Sequence, residues 1–293
     1  MPWINLFLSI IFWSALSVVI PSGASQSALA SAPATTGHPL GKPAQSLLIW
    51  ENDEEFLRVC EENQAQVRMA AFQTTLPDPL PGEEYNVGLA AQLLAGTVVP
   101  PGGVFSMNGT IGRRTRERGF REGPAYSGSQ IIRVTGGGVC KISTTLYNVA
   151  ILADMAVVER KPHGMLVPYV PPGQDATVSY GTVDFKFRNT YKFPVVIWAE
   201  KVGNTLYMAF YGRIRPPRII WDHQILNRQP IPTLYLPNPR LPRGTKKVIQ
   251  AGAEGITVKN RLIIHYPSGE TVLRELGTDY YRPMARIVET GPG

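Results

Sequence analysis

Cys140 is the residue best placed in this sequence for covalent chemistry. Gly136, Gly137 and Gly138 stand just before it, and the run after it (Ile142, Leu146, Tyr147, Val149, Ala150) has helical spacing. A thiol at a helix N-terminus faces the positive end of the helix dipole, which favours the thiolate. Glycines let backbone approach a ligand closely and can turn amide N–H groups toward a developing oxyanion. His163 follows, then Asp175 and Asp184. In this order Cys140 would attack an amide carbonyl, His163 would serve as base, and Asp175 or Asp184 would orient the imidazole. A second reading stays open: Cys140 is there because only a small residue fits beside the tight glycine turn, and His163 serves a loop. Ser143 and Thr144, one helical turn on, read as capping or core-facing residues rather than nucleophiles.

An arginine-dense loop follows the same logic. Arg113, Arg114, Arg116, Arg118 and Arg121 lie within nine residues, and a guanidinium fork suits a carboxylate or a phosphate. Glu117 and Glu122 interrupt the run, so a solvated surface loop is the alternative. His38, His223 and His265 do not cluster with carboxylates at metal-ligand spacing, and the glycine run lacks a following Lys-Ser/Thr pair. Neither a metal nor another cofactor is expected.

The elements that must position these groups read as mixed. Residues 53–69 have the pattern of an amphipathic helix, with Cys60 on its apolar stripe beside Phe56, Leu57 and Val67. Asn86 is a candidate cap for a second helix, and the third follows Cys140. After Asp154 the pattern changes to strands: 156–160, 165–170, 176–180, 183–188, and a hairpin of 194–201 with 205–211 around Gly203-Asn204. Residues 214–243 are basic and Pro-rich, without clear periodicity. Short strands then recur at 246–250, 256–265 and 271–276. The expected fold is α+β, with helices and then an antiparallel sheet in a main domain, followed by a small β-rich module. The expected organisation is a leader or anchor over 1–30, a linker over 31–46, the main domain over 47–213 and the module over 214–293.

The chain has 293 residues, 44% hydrophobic and 17% charged, which is globular rather than disordered. Trp3 to Ile20 is almost wholly apolar, and Ala28-Leu29-Ala30 has the small-residue spacing that a signal peptidase reads. The run is also just long enough to span a bilayer, so an uncleaved anchor is the alternative. Export makes one disulfide between Cys60 and Cys140 feasible, but two cysteines form no disulfide framework and no zinc cluster. A net charge of +7 points, outside the cell, to anionic wall polymers and lipid headgroups rather than nucleic acid. Nothing in the pattern fixes an oligomeric state.

The stretch GGGVCKISTTLYNVAI from Gly136 resembles the signature of the VanW family, named after a member of vancomycin-resistance gene clusters. AAFQTTL (70–76), PPGGVFSMNGTIGRRT (100–115), GFREGPAY (119–126) and VERKPHGMLVPYVPPGQDATVSYGTVDFKFRN (158–189) extend the likeness over about residues 70–200. Within the loop, Arg114 and Thr115 best match the family pattern and are the candidate binding residues with Gly136–Gly138. One departure is Lys141, where the family usually has Gln. The C-terminal stretches IPTLYLPNPRLPRGTKKVIQAGAEGITV (231–258), RLIIHYPSGE (261–270) and ARIVETG (285–291) are similar to the G5 domain. G5 domains accompany wall-associated proteins, and binding of N-acetylglucosamine-containing polymers has been proposed for them. Together the resemblances imply an envelope role, with peptidoglycan or an anionic wall polymer as partner. They imply no reaction, and the order Cys, His, Asp is similar only in organisation to papain-like and transglutaminase-like enzymes. Three classes stay open: a cysteine hydrolase or transpeptidase on peptidoglycan peptides, a non-catalytic wall-binding scaffold, and a binder that shields the target of glycopeptide antibiotics.

The leader predicts an exported protein. Cell fractionation with N-terminal sequencing should find it outside the cytosol, processed after Ala30 or retained in the membrane; full-length soluble protein in the cytosol would contradict export.

Overall fold

Val67 to Thr75 alternates about the pleat of a strand, and this alternation governs the first half of the fold. In a computed structural model, which describes residues 41–76, 78–127 and 130–293, this segment is a central strand rather than the end of a helix. The expected leader or anchor, most of the linker and His38 lie outside the described residues. Among the described residues, no helix is long and apolar enough to cross a membrane.

The elements run β1 (Lys42–Pro43), α1 (Glu54–Glu62), β2 (Val67–Thr75), α2 (Glu83–Leu94), β3 (Thr97–Val99), β4 (Val104–Ser106) and α3 (Met107–Ile111). Then come β5 (Glu122–Ser127), β6 (Gln130–Thr135), α4 (Cys140–Leu152), β7 (Ala156–Glu159), β8 (Lys186–Arg188), β9 (Val195–Val202) and β10 (Thr205–Gly212). The chain closes with β11 (Arg218–Gln229), β12 (Thr233–Pro237), β13 (Lys246–Gln250), β14 (Gly255–His265), β15 (Thr271–Tyr281) and β16 (Arg286–Thr290). The fold is thus mixed and strand-rich, with several antiparallel sheets. Helices do not come first, because β2 intervenes between α1 and α2.

The main sheet has the order β1-β2-β10-β9-β3, all neighbours antiparallel. Its pleat sorts side chains to two cores. Ala71, Val196, Trp198, Ala209 and Tyr211 face α1, where Phe56 and Cys60 are buried. Phe72, Ile197, Met208 and Phe210 face the larger core that contains α2 and α4. Cys60 and Cys140 therefore lie on opposite sides of the sheet, and both are free thiols. Asp53 caps α1 through bonds from the amides of Glu55 and Phe56. Asn86 does not cap α2, which starts three residues earlier behind left-handed Gly82.

Residues 214–243 are more ordered than their proline content implies. β11 pairs along its length with β14, which pairs with β15. β12 runs parallel to β16 and β13 antiparallel to it, in a second three-stranded sheet. Ile219, Leu262 and Ile264 join the large core, and Trp221 packs edge-on to Tyr147 of α4 at 5.7 Å.

Helix α4 is buried on every side from Lys141 to Ile151. Its polar side chains must therefore find protein partners. Ser143 Oγ donates to the Ala176 carbonyl (2.6 Å), Asn148 Nδ2 donates to the Gln174 carbonyl (2.7 Å), and Thr144 Oγ1 accepts the Ala176 amide (3.1 Å). Thr145 meets Thr74 of β2 at 2.8 Å. Ser143 and Thr144 are thus core-facing anchors. Lys141 turns away from the glycine run, and its ammonium binds Glu84 (2.7 Å) and the Asn204 carbonyl (2.9 Å).

Thr144→Val keeps the volume but leaves the Ala176 amide without its acceptor. The expected cost is about 1–3 kcal/mol in urea unfolding; an unchanged midpoint would contradict the anchoring role.

Candidate functional site

The Gly136–Gly138 run is glycine for steric reasons that also shape a cleft. A Cβ on Gly137 would fall 2.2 Å from the Gly123 backbone, so the run packs backbone to backbone against the β5–β6 hairpin. Gly136 and Gly138 adopt left-handed φ values of 79° and 94°. Asn86 fixes this junction: its Nδ2 donates to the carbonyls of Arg121 (2.8 Å) and Gly137 (2.9 Å), and its Oδ1 accepts the Arg121 amide. The glycine run, the hairpin, the arginine loop and residues 177–180 enclose a cleft of about 590 Å³ with Cys140 and His163 in its wall.

Three of the expected residues come together there. Cys140 opens α4 and is partly exposed. Its sulfur accepts the Val178 amide (3.5 Å) and stands 3.6 Å from the Thr177 hydroxyl, and the His163 side chain is the largest influence favouring its ionised form. His163 Nδ1 lies 2.6 Å from Asp175 Oδ2, which also accepts the His163 amide at 2.6 Å. That contact directs Nδ1–H to the carboxylate. Asp175 sits on the loop pinned by Ser143, Thr144 and Asn148. Asp184, the other candidate, is engaged elsewhere. Its carboxylate accepts from Ser106 Oγ (2.6 Å) and the amides of Asn108 (2.9 Å) and Phe185 (2.8 Å).

The electrostatics follow from this chain of contacts. Burial pushes the Cys140 thiol up, but the hydrogen bond and charge of His163 outweigh it, with the Val178 amide and Thr177 adding to them; the thiol falls from 9.0 to about 7. Burial pushes His163 down, yet Asp175 and the Cys140 sulfur reverse it and raise it from 6.5 to about 10. Burial opposes ionisation of Asp175, but His163 and then Arg160 hold it below the ordinary carboxylate range. Each group thus favours the charged form of the other, a thiolate beside an imidazolium. Cys60 is the contrast, raised to about 11 by burial and by Glu51.

The arginine loop sorts itself by position. Arg116 pairs with Glu122, Arg118 donates to the Arg113 carbonyl (2.9 Å), and Arg121 covers the Tyr85 ring at 3.5 Å. Arg113, Arg114 and Thr115 line the cleft. Arg114 Nη1 donates to Asn108 Oδ1 (2.5 Å), while its buried Nη2 has no hydrogen-bond partner among the described residues. Asp184, through the Asn108 amide, thus supports the arginine and not the histidine. Glu83, which the sequence reading did not single out, also lines the cleft, and burial raises its carboxyl to about 7. The only signal for it was an acidic pair behind the Pro-Gly turn, which also serves to start α2. No group of three or more His, Cys, Asp and Glu placed to hold a metal occurs among the described residues.

Residues 82–211, which carry all of these cleft residues, match the family model described as VanW like protein. This segment is a VanW-like domain. Over 128 residues it is 39% identical to the uncharacterized protein YoaR of Bacillus subtilis strain 168, spanning 44% of this chain and 42% of that protein. It is 28% identical, also over 128 residues, to the vancomycin B-type resistance protein VanW of Enterococcus faecalis strain ATCC 700802 / V583, spanning 40% of this chain and 46% of that one. The chain spans less than half the length of either curated relative. Two solved G5 domains also align. That of IgA1 protease is 26% identical and covers 27% of this chain and 96% of that chain, with a TM-score of 0.18. That of HP0197 is 18% identical and covers 25% and 99%, with a TM-score of 0.16. Superpositions this weak carry no inference about binding.

The cysteine of the VanW-like domain should be alkylated by iodoacetamide with a rate that rises through pH about 7. Cys60 should stay unlabelled until the protein unfolds. His163→Ala should return the Cys140 midpoint toward that of a free thiol, about 8.5, and an unshifted midpoint would remove His163 from the site.

Proposed function

We propose that the protein is an extracytoplasmic cysteine enzyme, a hydrolase or transpeptidase acting on peptidoglycan peptides through Cys140, His163 and Asp175. The observation that carries the reading is the sulfur–imidazole–carboxylate chain in the wall of an open cleft, on a domain similar to one in a vancomycin B-type resistance protein. In this reading the Cys140 thiolate attacks the amide carbonyl carbon. The Cys140 amide, which opens α4, is the donor offered to the developing oxyanion, since the amides of Gly136 and Gly137 are taken by the carbonyls of Arg121 and Val134. His163 gives its proton to the leaving amine nitrogen as the C–N bond breaks, and a thioester remains on Cys140. His163 then takes a proton from water or an acceptor amine, which attacks the thioester and restores the thiolate. Asp175 holds the imidazole in the required tautomer throughout.

Arg114 supplies the substrate preference. Its charge stands in the cleft with one nitrogen unpaired, a position suited to a carboxylate. Peptidoglycan stem peptides end in such a group. The basic balance of the chain fits attraction to an anionic wall. The C-terminal module is read as a wall-contacting element, an assignment that rests on its sequence resemblance to G5 domains.

Incubation with purified peptidoglycan stem peptides should release an amine-bearing fragment and give a Cys140 adduct visible by intact-protein mass, both absent in Cys140→Ala. Arg114→Gln should raise KM for carboxylate-bearing peptides by about tenfold or more, as loss of a charged hydrogen bond would, with a smaller change in kcat. Retention on cell wall without turnover or adduct, in wild type and Cys140→Ala alike, would favour the non-catalytic scaffold instead.

A further inference from the structure

The carboxylate that orients His163 is itself held from outside the VanW-like domain. Asp175 turns Oδ2 to His163, while Oδ1 accepts the hydroxyl of Tyr281 and, at 3.2 Å, Nη2 of Arg160. The Tyr281 hydroxyl in turn accepts the Gly173 amide (2.8 Å), at the start of the same loop. Arg160 Nε donates to the Asp175 carbonyl (2.8 Å), and its Nη1 grips both oxygens of Asp279 at 2.7 and 2.6 Å. Asn260 Nδ2 donates to Asp279 (2.9 Å). Asn260 also packs so tightly on Gly173 that a Cβ there would fall 1.9 Å from its Oδ1. Asn260 lies on β14, and Asp279 and Tyr281 on β15, beyond the residues that match the family.

We propose that Tyr281 and Asp279 are positioning residues for the Cys140–His163–Asp175 site, so that β14 and β15 are part of the reactive centre. The inference rests on the reading of that trio as a reactive site. With Oδ1 tied to Tyr281 and Arg160, the carboxylate cannot rotate, and Oδ2 stays on Nδ1 of the imidazole. Docking of two sheets alone does not require the ties to converge on the one carboxylate that touches the histidine.

The tyrosines and the arginine that face this site keep their charge across the useful pH range. Tyr147, under Arg160 at 5.1 Å, and Tyr281 are raised, chiefly by burial, and stay protonated. Arg160 is held cationic by Tyr147, Asp175 and Asp279 against the effect of burial. His223, which meets Gln174 (2.9 Å) and Asn260 (3.1 Å), is lowered by burial. On the cleft side stand Arg114 and Glu83. Glu83 titrates near the thiol but is common to every variant, so differences between variants report the Asp175 side.

The test is the rate of Cys140 alkylation from pH 5 to 10 in the full chain, comparing wild type, Tyr281→Phe and Asp279→Asn, with protection of Cys60 as the check on folding. We expect both variants to remain folded and their midpoints to rise by about half to one pH unit. At pH 7 the rate would then fall about two- to fivefold, as the smaller thiolate fraction requires. Profiles that superimpose on wild type, or move to lower pH, overturn the proposal. So does loss of Cys60 protection in both variants, which would make the contacts requirements of the fold alone. A wild-type Cys140 that labels like a free thiol overturns the site reading itself, and is seen before any substitution is made.

Discussion

A helix buried on all sides cannot leave its polar groups to water. In α4 that requirement falls on Ser143, Thr144, Thr145 and Asn148, and each makes a bond within the protein, although Oδ1 of Asn148 has no partner among the described residues. Three of them bind backbone of residues 174–176. The same helix begins with Cys140, so one rigid element fixes both the sulfur and the loop that bears Asp175. His163 is then placed between them by two contacts to one carboxylate oxygen. The geometry of the trio is thus set by core packing rather than by mobile loops, which is the condition a preorganised site needs.

Placing charge beside such a core has an electrostatic cost, and the structure meets it by pairing. Asp175 is almost fully buried but meets His163, Arg160 and Tyr281. Lys141 is buried against Glu84 and a backbone carbonyl. Arg114 is the exception among the cleft residues, with one nitrogen left unpaired. On the proposed reading, that nitrogen is where the anionic part of a ligand would bind.

The chemistry-bearing residues were more legible in sequence than the fold that holds them. Gly136–Gly138, Cys140 and His163 stand out by residue type and order, although the glycines and the cysteine equally suit a tight turn into a helix. Asp175 and Asp184 could not be told apart, since the choice depends on which loop α4 pins. In the arginine loop, residue type gave five candidates and the family resemblance singled out Arg114, while the fold engages Arg116, Arg118 and Arg121 in contacts of their own. The hairpin of β9 and β10 and the strands β13 and β14 followed their alternation closely, whereas β15 runs five residues past the expected end at 276. Residues 67–69 were drawn into the preceding helix because Val67 continues its apolar stripe. β11 and β12 were hidden by the prolines around them. The contacts of Tyr281 and Asp279 join residues more than a hundred positions apart in sequence, and no local pattern announces them.

The central claim is that His163 is a buried imidazolium paired with a thiolate and a carboxylate. Nitrogen NMR of the His163 ring in the folded full chain tests this directly. The account predicts both ring nitrogens protonated at pH 8, loss of that proton only near pH 10, and a lower titration in Cys140→Ala, where the sulfur no longer stabilises the charge. A His163 that is already neutral at pH 8, titrating near 6.5 whether or not Cys140 is present, would contradict it.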